Sequence, residues 1–79
     1  MSLQYVPDVI YDASQKGGSE LLKSLFLKME SLINGQIIEV ISNEPAVKKD
    51  LQTWVRVQKH SLLDCKEFGE MSYYYIEKR

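Results

Sequence analysis

Residues 17–42 read GGSELLKSLFLKMESLINGQIIEVIS, and two successive periodicities in this stretch decide the fold. Leu21, Leu22, Leu25, Phe26, Met29, Leu32 and Ile33 recur at three- and four-residue steps. That spacing predicts an amphipathic helix capped at Ser19 and running to about Ile33. Lys23, Ser24, Lys28, Glu30 and Ser31 fall on its wet side. Asn34-Gly35 stops it, because glycine tolerates the left-handed conformation that helix ends often need. The period then changes. Gln36–Ser42 carries Ile37, Ile38, Val40 and Ile41 in near-continuous array, the pattern expected of a central strand.

The chain before this stretch predicts a strand over Gln4–Tyr11, with Val9 and Tyr11 on one face and Val6, Asp8 and Ile10 on the other. Pro7 donates no ladder hydrogen bond, so that strand is expected at a sheet edge or with an irregularity at Pro7. Asp12–Gly18 is a loop of small and polar residues. After the central strand, Asn43-Glu44-Pro45 turns the chain into a second helix that runs to about Lys59. Val47, Leu51, Trp54 and Val55 mark its inner face. Ser61–Lys66 and Met71–Lys78 read as two final strands joined through Glu67-Phe68-Gly69-Glu70 as a hairpin. The order is β-α-β-α-β-β. Right-handed crossovers put both helices on one face of a four-stranded mixed sheet, an α/β (α+β) two-layer sandwich. One domain over residues 5–79 is expected, preceded by residues 1–4.

Composition narrows the function. The chain has 79 residues, 44% hydrophobic and 27% charged, with ten basic residues against eleven acidic ones. Such a balance offers no basic footprint for phosphate backbones, so no nucleic-acid partner is expected. No apolar run approaches the length of a membrane span, and the amino terminus lacks the basic and apolar regions of a signal peptide. The single cysteine, Cys65, has no internal disulfide partner, which fits a reducing, cytoplasmic setting. One Cys and one His do not make a structural zinc site, and no cofactor is expected.

Four features bear on chemistry. The loop Gln15-Lys16-Gly17-Gly18-Ser19 leads into the first helix, where free amides and the helix dipole favour an anion or a thiolate. The same residues also read as a flexible loop followed by a cap. Cys65 shares its strand face with Leu63 beside the core, which fits an inert small hydrophobe, although it is the sole thiol. His60 follows the second helix and is expected to hydrogen-bond that helix's last carbonyls. Tyr73-Tyr74-Tyr75 sends Tyr74 to one face and its neighbours to the other, so one set fills the core and the other faces outward.

Several short motifs occur in a specific order: Asp12-Ala13, Glu20-Leu21-Leu22, Asn34-Gly35 and Ser42-Asn43-Glu44-Pro45-Ala46. Asp50-Leu51, Trp54, His60-Ser61-Leu62-Leu63 and Tyr74-Tyr75-Ile76 continue the series. Over residues 5–78 this pattern resembles the TusA/SirA-like sulfur-carrier family. The resemblance implies a two-layer sandwich and a sulfur relay through a cysteine persulfide, received from a donor protein and passed to an acceptor. It also implies a thiol at the start of the first helix, in Cys-Pro-x-Pro or, in a divergent branch, Cys-Gly-Glu-Leu. Here the stretch is Gly17-Gly18-Ser19-Glu20-Leu21, which keeps Glu20 and Leu21 but puts Gly18 where the cysteine is expected. Ser19 does not replace it, since a hydroxyl forms no persulfide. The expectation is therefore a binding or regulatory member with no catalytic residue. Gly17, Gly18, Ser19 and Glu20 are its candidate ligand or protein-partner contacts. Cys65 as the sulfur carrier and an anion bound at the Gly17-Gly18-Ser19 amides are the alternatives.

Overall fold

The computed structural model describes residues 5–79. It contains β1 (Val9–Asp12), α1 (Gly18–Glu30), β2 (Ile37–Ser42), α2 (Val47–Val57), β3 (Ser61–Phe68) and β4 (Met71–Glu77), in the expected order. The strands form one sheet, β1-β2-β4-β3, with β1 parallel to β2 and the remaining pairs antiparallel. The nearly all-apolar β2 is interior and the proline-bearing segment leads into an edge strand, as the sequence predicts.

Register explains the layering. Directly paired residues share a sheet face. Val9, Ile38, Ile76 and Leu62 form one such row, and Tyr11, Val40, Tyr74 and Cys65 the next. These rows pack against Leu21, Leu25 and Met29 of α1 and Val47, Leu51 and Val55 of α2 in one core. Both helices therefore cover the same face. Leu21, Leu25, Leu51, Ile38, Val40 and Ile76 have no solvent exposure. Each such side chain contributes about 1.5–3 kcal/mol of burial.

Several boundaries differ from the sequence reading. Regular pairing of β1 begins at Val9, not Gln4, and Gln4 lies outside the described residues. The Asp8 carboxylate accepts a hydrogen bond from the Ile37 amide at 2.8 Å, anchoring the approach to the sheet. Helix α1 starts one residue before Ser19, with Gly17 at the cap and no side-chain cap bond. It ends at Glu30 with Ser31 as its C-cap, which leaves Ile33 beyond it and 70% exposed, while Phe26, within the helix, is 42% exposed at the edge of the buried stripe. Asn34-Gly35 instead forms the following turn, where Gly35 has φ +94° and its amide donates to the Lys78 carbonyl. Helix α2 stops at Val57. The β3–β4 turn shortens to Gly69-Glu70, with Gly69 at φ +61°. A register shift between Leu62 and Asp64 leaves Leu63 without a partner, so Cys65 shares the core face with Leu62, not with Leu63.

Candidate functional site

Because β1 and β2 are parallel neighbours, their carboxyl ends lie together, and each feeds the amino end of a helix. Crevices at the carboxyl ends of parallel strands are the usual ligand sites of such sheets. Here Ser14, Gln15, Lys16, Gly17, Asn43 and Glu44 line a cavity of about 320 Å3. Its walls are built from local hydrogen bonds. The Asp12 carboxylate accepts the Ser14 amide at 3.0 Å, and the Ser14 hydroxyl, followed by that amide, lowers the carboxyl's pKa. The Lys16 amide donates to the Ala13 carbonyl at 3.1 Å. Across the crevice, the buried Ser42 hydroxyl accepts the Glu44 amide at 3.1 Å.

Helix α1 opens at this crevice with Gly18 as its first residue, and the Leu21 amide donates to the Gly17 carbonyl at 2.9 Å. Gly17 has φ −70°, and Gly18 also lies outside the left-handed region. Neither position needs glycine for backbone reasons. A Cβ on Gly17 meets nothing within 4 Å, and one on Gly18 meets only the Asp50 carboxylate oxygen, at an ordinary 3.5 Å. The first turn of α2 thus sets a carboxylate beside the first turn of α1. Lys16 is tied by its ammonium to Glu20 at 3.2 Å, which takes the nearest cation of the loop. Ser19 and Glu20 are exposed on α1. Gly17, Gly18, Ser19 and Glu20 therefore gather at one helix start. The sequence names Asp50 only within the Asp50-Leu51 motif; the crossing of the two helices, which no local pattern encodes, is what places it here.

Cys65 lies elsewhere. It sits half-buried on edge strand β3, opposite Tyr74, and does not line the crevice. Burial pushes its thiol up; Lys48 pulls it down, while Glu67 and Asp64 push it further up. Lys48 is itself paired with Glu67 at 3.1 Å. That environment is the reverse of the electropositive, exposed setting that activates a thiol. Beside it, Lys48, Glu67, Ser72 and Tyr74 help line a second cavity of about 640 Å3, which shares Asn43 and Glu44 with the first.

His60 departs from its expected capping role. Its backbone amide, not its ring, donates to the Val55 carbonyl, and Nδ1 accepts the Arg79 amide at 3.1 Å. Its ring lies 6.1 Å from Trp54, and burial, with Lys78 nearby, lowers its pKa. Tyr74 fills the core and Tyr73 and Tyr75 occupy the helix-free face, as alternation predicts. Among the described residues, no cluster of three or more His, Cys, Asp or Glu side chains is arranged to hold a metal. No helix is long and apolar enough to cross a membrane.

Comparison with known proteins bears directly on this geometry. The family model described as sulfurtransferase TusA matches residues 22–78, beginning just past the helix start. The chain is similar to the sulfur carrier protein TusA of Pseudomonas putida strain W619, with 27% identity over 75 residues, 95% of this chain and 94% of that protein. The same identity and coverage hold for the protein of that name in strain KT2440, and strain GB-1 gives 25%. With the β-α-β-α-β-β sandwich and most of its length matched, the chain belongs to the TusA sulfurtransferase family as a TusA-like sulfur-carrier domain.

Proposed function

We propose that this domain is a non-catalytic member of a sulfur-relay system, one that binds a protein of sulfur transfer or redox chemistry without carrying sulfur itself. The observation that carries this reading is Gly18. It stands at the first position of α1, where a side chain is sterically allowed, yet it offers no atom for a persulfide. A persulfide requires a sulfur nucleophile, and the molecule's only thiol is half-buried on β3 with its pKa raised. Binding needs no such atom, and the framework that presents the α1 tip to a partner is complete.

Anion capture at the Gly17-Gly18-Ser19 amides is the weaker reading. The Asp50 carboxylate lies beside the helix start and Lys16 is already paired, so a bound anion meets a like charge. The single cysteine suits a reducing compartment, and the reading places the domain in the cytoplasm as one unit over residues 5–79. The test mixes the purified chain with a cysteine desulfurase or a rhodanese-type donor plus substrate. Association measured by sedimentation, with no sulfur added to the chain, is the expected result. Transfer of sulfur to the folded chain, or no association with either donor class, overturns it.

A further inference from the structure

The near-neutral overall charge conceals a separation between the two layers. Helices α1 and α2 carry five basic side chains, Lys23, Lys28, Lys48, Lys49 and Arg56, against three acidic ones. The opposite face of the sheet has the reverse bias. Pairing puts Glu39 and Asp64 in one row with Ile10 and Tyr75, and Asp12 and Lys66 in the next with Ile41 and Tyr73. Glu77 lies in a third row with Ile37. Four carboxylates thus face outward with Lys66 and Arg79, and Arg79 pairs with Glu77 at 3.2 Å, which leaves the face acidic.

Apolar and aromatic side chains alternate with these charges across the face. Ile10 is 61% exposed and Phe68 65% exposed. Phe68 meets Tyr73 edge-on at 5.8 Å, and Tyr5 lies 5.8 Å from Tyr75. Lys66 is drawn over the Tyr75 ring at 5.7 Å. The Tyr75 hydroxyl donates to Glu39 at 3.5 Å. Among the described residues, no helix or strand covers these rows. Large exposed apolar side chains beside charge are the ordinary signature of an interface.

We propose that the helix-free face of the sheet docks a protein surface that sets lysine and arginine among apolar side chains. The charge selects the occupant. A phosphate backbone or an anionic lipid surface meets carboxylates here and is repelled. A second copy placed face to face by a two-fold axis sets acidic rows against acidic rows, which disfavours that dimer. The cations of such a partner neutralise Glu39 and Asp64 while its apolar groups cover Ile10, Phe68 and the tyrosines. This deepens the binding reading above by assigning the partner its surface, and it rests on that reading for the existence of a partner. The sulfur assay does not probe this face, so the two readings fail separately.

The test uses two synthetic peptides with one shared Leu/Phe core, flanked in one by lysines and in the other by glutamates. Each is titrated into the isotope-labelled full chain while backbone amide resonances are followed. The lysine-flanked peptide is expected to shift amides of β4 and of Glu39 and Asp64, and to bind about tenfold or more tightly than its partner. The double variant Glu39→Lys/Asp64→Lys should invert that preference. Phe68→Ser, at an exposed position, should weaken the lysine-flanked peptide with the fold intact, and so keeps the proposal testable if the double variant fails to fold. Equal affinity for both peptides, failure of both to bind, or shifts confined to α1 and α2 overturns the proposal. Concentration-dependent self-association that Phe68→Ser abolishes also overturns it, since the occupant is then a second copy.

Discussion

A thiol restored at the start of α1 should be only weakly activated, and Asp50 should be the reason. Gly18→Cys places a Cβ 3.5 Å from the Asp50 carboxylate on an unstrained backbone. The sulfur then lies roughly 5 Å from that oxygen, depending on rotamer. Two unit charges at about 5 Å repel by about 0.8 kcal/mol in water-like surroundings and about 3 kcal/mol at an effective dielectric of 20. Asp50 is exposed, so the lower figure applies, equal to about 0.6 of a pKa unit. The helix start acts in the opposite direction by about 0.3–1 kcal/mol. The two nearly cancel, leaving the introduced thiol close to its ordinary value near 8.5. Adding Asp50→Asn removes the repulsion and should lower that pKa by about half a unit or more. Thiolate absorbance titrated against pH, in a Cys65→Ala background, reads both values directly. An unchanged or raised pKa in the Asp50→Asn variant would refute the argument that this carboxylate opposes negative charge at the α1 tip.

Three further outcomes follow from the same structure. Gly18→Ala should stabilise the chain by about 0.4–1 kcal/mol, because the backbone already suits an L-residue and the unfolded chain loses freedom; thermal melting checks it. Leu25→Ala, at a position with no solvent exposure, should cost about 2–5 kcal/mol in denaturant unfolding, a large share of what so small a domain possesses. His60 has a folded-state pKa below 6.5, so below that value the unfolded chain binds more protons than the folded one. Stability should therefore fall as pH drops through and below 6.5, and His60→Gln should flatten that part of the profile of denaturant midpoint against pH.

The sequence disclosed the layers because its periodicities are physical. A three-to-four repeat over Leu21–Leu32 can bury only one helical stripe, and the apolar run Ile37–Ile41 marks a strand inside the sheet. The ends of the elements were less legible. The expected caps at Ser19 and Gly35 were plausible by residue type, yet the chain caps α1 at Gly17 and turns at Ser31 before Gly35 is reached. The face of Cys65 was misassigned to that of Leu63 because an irregularity between Leu62 and Asp64 shifts the register, and a one-residue slip reverses the side-chain faces. At the candidate site, Gly17, Gly18, Ser19 and Glu20 were found because they are contiguous. Asp50 was not, because it arrives from a helix thirty-two positions away. The acidic and basic layers were equally hidden, since a net charge of −1 averages over both faces.

The most direct measurement is the location of transferred sulfur. The natural chain and Gly18→Cys are each exposed, folded, to a persulfide donor, and peptide mass spectrometry then maps the added sulfur. The account predicts none on the natural chain and a persulfide at position 18 in the variant. Sulfur found on Cys65 of the natural, folded chain contradicts it.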